Sequence, residues 1–234
     1  MRIPLIFPLL LLAATTAFAQ TPAPAPAPTN KPNAFEKEIL AFEASDRTNP
    51  PPRHAILFVG SSSIRLWKTL AQDFPNRRVI NRGFGGSQIS DSILFANRIV
   101  LPYEPATIVF YAGGNDINGG KTPQTVFNDY KTFVEKVRAK LPNTRIAYIS
   151  IAGNPARWSQ IDRVREANRL IQAYSRTVPG LSYIDTASAM LGADGLPRPE
   201  IFVADKLHMN TNGYAIWTRV IGEHLKGLDA EKKP

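Results

Sequence analysis

Five short, nearly continuous apolar runs constrain most strongly what this chain can fold into: "AILFVG" (55–60), "RVINRGF" (78–84), "ATIVFYAG" (106–113), "RIAYISIA" (145–152) and "LSYID" (181–185). Runs of that length without apolar–polar alternation read as strands covered on both faces, the pattern of a parallel sheet. Helical spacing fills the intervals. Thr122 and Pro123 form a cap and first turn, after which Val126, Tyr130, Phe133 and Val137 share one face until Pro142 stops the pattern. A second helix carries Ile161, Val164, Ala167 and Ile171. A third starts near Thr211 with Tyr214, Trp217 and Ile221, and "AFEKEILAFEAS" supplies an early one before the first strand. Strands alternating with helices predict an α/β fold, a three-layer α/β/α sandwich around a five-stranded parallel sheet. In such sheets reacting groups gather at the carboxyl ends of the strands, near the topological switch point. The residues just after each strand are therefore the ones to read for chemistry.

The 234 residues divide unevenly around that pattern. Residues 1–19 carry one basic residue, Arg2, an apolar stretch interrupted by Pro4 and Pro8, and the small-residue exit Ala17-Phe18-Ala19. This is the layout of a secretory signal cleaved after Ala19, too short and broken for a membrane span. Residues 20–33, with "TPAPAPAPTN", read as an extended Ala/Pro-rich linker. The fold is expected over 34–228, followed by a frayed polar tail at 229–234. Export predicts a periplasmic or secreted protein without stable membrane insertion after cleavage. The chain has no cysteine, so disulfides, thiolate metal sites and a lipid-modified cysteine are excluded. Net charge is +9, or +8 once Arg2 leaves with the signal. No aromatic-and-basic recognition motif accompanies it, so no nucleic-acid partner is expected. The arginines, among them Arg82, Arg157, Arg163 and Arg169, are scattered as on solvated helix faces and loop ends.

"GSSSIRLW" follows the first run, "NRGFGGSQISD" the second, "YAGGNDI" the third, and "ADKLHMNTNGY" comes late, after the fifth. Together they supply a hydroxyl, flexible glycines, a carboxamide, and an acid and a histidine three residues apart. Acyl transfer needs that set. A serine is a poor nucleophile until a base takes its proton, and histidine titrates in the useful range. A carboxylate holds the imidazole in the right tautomer, and donors must await the oxyanion of the tetrahedral intermediate. A triple serine after a strand can also be a plain turn capping the next helix. Phosphate binding by "GFGGSQ" fits neither the dinucleotide fingerprint nor the Walker loop.

Four of these blocks, in this order, resemble the SGNH (GDSL-type) hydrolases over nearly the whole expected domain. "VGSSS" is similar to the family's Gly-Asp-Ser block, with Ser61 where aspartate is usual and Ser62 in the place of the nucleophile. "NRGFGG" resembles the second block, whose last glycine, Gly86, would give a backbone oxyanion donor. "GGND" matches the Gly-x-Asn-Asp block and makes Asn115 the side-chain donor. "DKLH" matches the Asp-x-x-His block, with Asp205 and His208 completing the triad. The resemblance implies a flavodoxin-like SGNH fold and a serine ester hydrolase of carboxylesterase, acetylesterase or lysophospholipase type. It acts without a cofactor on a small ester such as an acylated glycan, lipid or aryl ester. Ser61 is not a triad member, so its departure leaves the triad intact while removing whatever bond the usual aspartate makes.

His208 has few competitors among the three histidines: His54 precedes the first run, at the wrong edge of the sheet, and His224 lies in the last helix. Asp116 reads as structural. Trp217 falls at core spacing, whereas Trp67 and Trp158 could line a pocket. Neither an HExxH motif nor a cysteine cluster is present, so no metal site is expected. A non-catalytic glycan-binding module on the same scaffold is the alternative, and a missing triad member would mark it. An α/β-hydrolase would need G-x-S-x-G, which "GSSSI" lacks.

Overall fold

A computed structural model describes residues 33–230. The expected signal and nearly all of the linker lie outside the described residues, as does the end of the tail. All five apolar runs are strands: β1 (Ile56–Gly60), β2 (Val79–Gly83), β3 (Thr107–Tyr111), β4 (Arg145–Ile149) and β5 (Leu181–Ile184). They form one parallel sheet in the order β2-β1-β3-β4-β5. The order reverses between β1 and β3, whose ends meet in the register Gly60↔Tyr111. That is the switch point at which such sheets bind ligands.

Side chains alternate across the sheet and divide the core in two. Leu57, Val59, Ile108 and Phe110 face a layer formed by α1 (Glu36–Thr48), α4 (Ile89–Ile99), α6 (Pro123–Arg138) and α7 (Ile161–Thr177). Phe58, Val109 and Ala147 face the opposite layer. There α8 (Thr211–Ala230) packs with two one-turn helices, α2 (Ser62–Arg65) and α3 (Leu70–Asp73). Trp67 and Trp217 are both fully buried in this second layer, rings 5.8 Å apart. Trp67 is thereby a core residue and no part of a pocket.

Local chemistry accounts for the element ends. Thr122 Oγ1 accepts from Thr125 N–H at 3.1 Å and starts α6. The helix stops at Arg138, before Pro142, yet Leu141 still packs on the core because its N–H bonds back to Val137 O at 2.8 Å. Asn210 caps α8 by accepting from the N–H groups of Asn212 and Gly213. The expected polar tail begins too early at 229. Helix α8 continues through Ala230, and Asp229 pairs with Arg77 at 2.6 Å.

Helix α4 was not among the expected helices, and a capping box starts it. The Gln88 side chain accepts from the N–H of Asp91, and Asp91 Oδ2 accepts from Gln88 N–H at 2.8 Å. Nor are the arginines uniformly solvated. Arg82 is almost completely buried between α1 and the turn after α4, bonded to Asp46 and, at 2.6 Å, to Tyr103 Oη. No helix of the described residues is long and apolar enough to cross a membrane.

Candidate active site

The first wall of the site is the exit from β1. Gly60 has φ +146°, and a Cβ there would lie 1.8 Å from Tyr111 O, so only glycine lets β1 end this close to β3. Ser61 N–H then donates to that same Tyr111 O at 2.9 Å, and Ser61 O accepts from Ile64 and Arg65. These main-chain bonds make Ser62 the first residue of α2. Ser61 caps the turn without a side-chain bond, so the hydroxyl in place of an aspartate leaves the turn intact. Across the layer, Tyr214 Oη of α8 donates to Ser63 O at 2.9 Å and braces the turn from below.

The second wall is the loop before α8. An antiparallel bridge between Phe202 and Met209 closes it, and Val203 N–H donates to His208 O at 2.9 Å. Lys206 turns the chain at φ +58°. Asp205 Oδ1 accepts the N–H groups of Leu207 and His208, each at 2.9 Å, while Oδ2 lies 2.6 Å from His208 Nδ1. The other ring nitrogen, Nε2, is 2.9 Å from Ser62 Oγ. The N–H and then the ring of His208, with the Leu207 N–H, hold the Asp205 carboxyl down at about 2. An ionised carboxylate only accepts, so Nδ1 carries the ring proton and the Nε2 lone pair faces the Ser62 hydroxyl. The tautomer follows from this network of partners.

The third wall follows β3. Gly113, at φ +116°, turns the chain into α5 (Gly114–Asn118), which carries Asn115. Asn115 Nδ2 donates to Ser87 O at 3.0 Å, and its Oδ1 accepts from Arg157 Nη1 at 3.0 Å. Asp116, fully buried, accepts from Ile89 N–H and from Lys121 Nζ at 2.8 Å, tying α5 to the start of α4. Burial pushes its carboxyl up, against the pull of Lys121. Asp116 is thus engaged away from the Ser62 hydroxyl.

Between these walls lies a small cleft of about 50 Å³, lined by Ser62, Tyr111, Asn115, Gly153, Arg157 and His208 among others. Ser62, Asp205 and His208 form one hydrogen-bonded chain, and Asn115 shares the cleft with it. Gly86 stands apart from the lining residues. It occupies the loop between β2 and α4 at φ +82°, one residue before the Ser87 carbonyl that anchors Asn115. His54 lies before β1 as expected, and His224 bonds Ser182 Oγ at 2.9 Å on the far side of β5. Trp158 packs over Gly153 with Arg165 above its ring, at the edge of the cleft. Sequence reasoning missed Tyr111 and Arg157. Tyr111 hid inside a strand, and Arg157 hid among scattered arginines.

Such an arrangement can activate a hydroxyl, hold a carbonyl beside it and receive a developing negative charge. Comparison with known proteins bears on the family and the fold. Residues 58–216, from the middle of β1 into α8, match the model of the GDSL-like lipase/acylhydrolase family. No curated protein matches the sequence. Solved structures resemble it at low identity. A GDSL-like lipase from Bacteroides thetaiotaomicron aligns with a TM-score of 0.69 at 19% identity, over 81% of this chain and 98% of that one. A carbohydrate esterase family 3 protein from Talaromyces cellulolyticus gives 0.61 at 16%, over 76% and 99%. An acetyl-xylooligosaccharide esterase from Geobacillus, as an R55A mutant, gives 0.58 at 14%, over 73% and 93%. At these identities the structures speak for the fold, and the family match over most of the described residues speaks for descent: the chain belongs to the GDSL-like lipase/acylhydrolase family.

Proposed function

We propose that this protein is an exported serine ester hydrolase that works through an acyl-enzyme on Ser62. One observation carries the proposal: the unbroken chain from Ser62 Oγ through His208 to Asp205, at 2.9 and 2.6 Å. In the first half-reaction His208 Nε2 takes the Ser62 proton as Oγ bonds to the substrate carbonyl carbon. The carbonyl oxygen becomes an oxyanion. The Ser62 N–H and the Asn115 amide, both of the cleft lining, receive it, with the Gly86 N–H as the further donor that the family resemblance implies. The intermediate collapses, the C–O bond to the leaving group breaks, and His208 returns the proton to the departing alcohol. Water then adds to the acyl-enzyme with the same base, releasing the carboxylic acid and restoring Ser62. Asp205 stays ionised throughout and keeps Nδ1 protonated.

The cleft favours short acyl groups. Its lining is rich in polar groups, with Ser61, Ser63, Asn115, Asn154, Arg157 and Gln160 around Ser62 and His208, which suits a short acyl group on a polar alcohol better than a fatty chain. Fold neighbours described as a carbohydrate esterase and an acetyl-xylooligosaccharide esterase support a small acyl ester on a glycan. Export rests on residues 1–19, and sequencing the N-terminus of protein from the extracytoplasmic fraction should find Gln20 first.

A fluorophosphonate probe tests the chemistry. Purified protein should label at Ser62, located by mass spectrometry of the modified peptide, and Ser62→Ala should not label. A panel of aryl esters should be turned over with kcat/KM falling as the acyl chain lengthens. Absence of labelling and turnover would favour a glycan-binding module on this scaffold. Labelling at Ser61 or Ser63 would overturn the choice of nucleophile.

A further inference from the structure

We infer that Arg157 is a positioning residue: it fixes the orientation of the Asn115 amide and polarises it as an oxyanion donor. The inference rests on the serine-hydrolase assignment above. An asparagine amide is nearly symmetrical in shape, so its two ends must be told apart by their partners. Here the partners are unambiguous. Ser87 O can only accept, and it faces Nδ2 at 3.0 Å. The Arg157 guanidinium can only donate, and its Nη1 faces Oδ1 at 3.0 Å. Exchanging the two ends would set oxygen against oxygen and N–H against N–H. With both flanks fixed, the second Nδ2–H is committed to one direction. The charge matters as well. Hydrogen bonds from an ionised donor are about twice as strong as neutral ones. Drawing electron density toward Oδ1 makes the amide N–H a better donor, because linked hydrogen bonds polarise one another.

Arg157 is itself held for this purpose. Besides Asn115 Oδ1, Nη1 reaches a second neutral acceptor, Gly114 O, at 3.4 Å, so both of its contacts are on α5. Its backbone lies in the 3₁₀ segment Pro155–Gln160 after β4, with φ −128° and ψ 23°. Asn154 Oδ1 accepts from Arg157 N–H at 3.0 Å. The preceding residue, Ala156, donates its N–H to Lys206 O at 3.1 Å. Lys206 lies between Asp205 and His208, so this one segment touches both the base loop and the amide that awaits the oxyanion. Arg157 therefore sets the donor in register with the base.

Kinetics of Arg157→Met, Arg157→Lys, Asn115→Ala and Arg157→Met/Asn115→Ala on a short-chain aryl ester test the inference. Fluorophosphonate labelling of each protein is measured in parallel. Arg157→Met should lower kcat about tenfold or more, a fraction of the loss on deleting a donor outright, with KM changed less than about twofold. Arg157→Lys should recover part of the loss, and added guanidinium should rescue Arg157→Met. In the Asn115→Ala background, removing Arg157 should cost almost nothing further, because the residue it acts through is gone. An equal loss in both backgrounds would overturn the inference. So would a rise in KM at unchanged kcat, which would make Arg157 a substrate-binding group. If the wild-type protein failed to label at Ser62, the hydrolase assignment and this inference would fall together. Labelling with unaltered kcat in Arg157→Met would sink this inference alone.

Discussion

At the scale of single residues, the proposed function gives each group in the cleft a distinct chemical duty, and substitution should separate them. Asn115→Ala removes a donor aimed at charge that exists only in the transition state. Steady-state kinetics should show kcat reduced on the order of 10²–10³ with KM nearly unchanged. Asp205→Asn should cut kcat by about 10⁴, since an amide cannot hold the imidazole in its working tautomer or stabilise its charge. The carboxyl of Asp205, held at about 2, also has a thermodynamic signature. A folded pKa below the unfolded one stabilises the native state at pH above the ordinary carboxylate value, and that stabilisation is lost as pH falls toward 2. Its side chain is 46% exposed, so the contribution is small and screened. Urea midpoints of wild type and Asp205→Asn should converge slightly on acidification and differ by a constant amount above pH about 5. Ser62, Asp205 and His208 were legible because few residue types can do this chemistry and the chain holds only three histidines. Arg157 was not. Its role depends on a partner 42 positions away, and nothing in the local spelling of "NPARW" marks it among other arginines.

At the scale of elements, the five strands were legible because both faces of a parallel sheet are buried, which writes them as unbroken apolar runs. Helix α4 was overlooked for a physical reason. It starts at Gln88, which is not among the strongly preferred cap residues, and follows a glycine-rich loop that draws attention as a binding segment. Its buried positions, Ile89, Phe95, Ala96 and Ile99, do keep helical spacing. One turn is too short to show any period, which hides α2 and α3. The junction of β1 with α2 is the most exacting element boundary. Gly60→Ala would place a methyl group against the Tyr111 carbonyl at a φ that side chains rarely adopt. Destabilisation of more than about 2 kcal/mol is expected from the combined clash and strain, read as a lower urea midpoint. The same substitution at Gly86, where a Cβ would meet nothing within 4 Å, should cost only about 1–2 kcal/mol from its positive φ.

Across the whole molecule, the second core layer is where the site and the stability meet. Trp217 has no exposed surface and packs on Trp67, Tyr111 and Tyr214. Two of these rings lead to the site: Tyr111 lines the cleft, and Tyr214 braces Ser63. Trp217→Ala should destabilise by about 3–5 kcal/mol through lost burial and an unfilled cavity. Activity at low temperature should persist in whatever fraction stays folded, so urea titration and active-site labelling should lose signal together. Ser62 and His208 are 146 positions apart, and this distance along the chain sets a clock during biosynthesis. A ribosome delivers the nucleophile early and the base late. Until Asp205, His208 and α8 have emerged, the layer over Phe58, Val109 and Ala147 lacks Tyr214, Trp217 and Ile221, and the serine has no base. On the proposed function, a nascent chain would therefore be inert toward esters of its host while it is being made. Chains stalled before Asp205 should remain dark to a fluorophosphonate, and released full-length chains from the same translation reaction should light up.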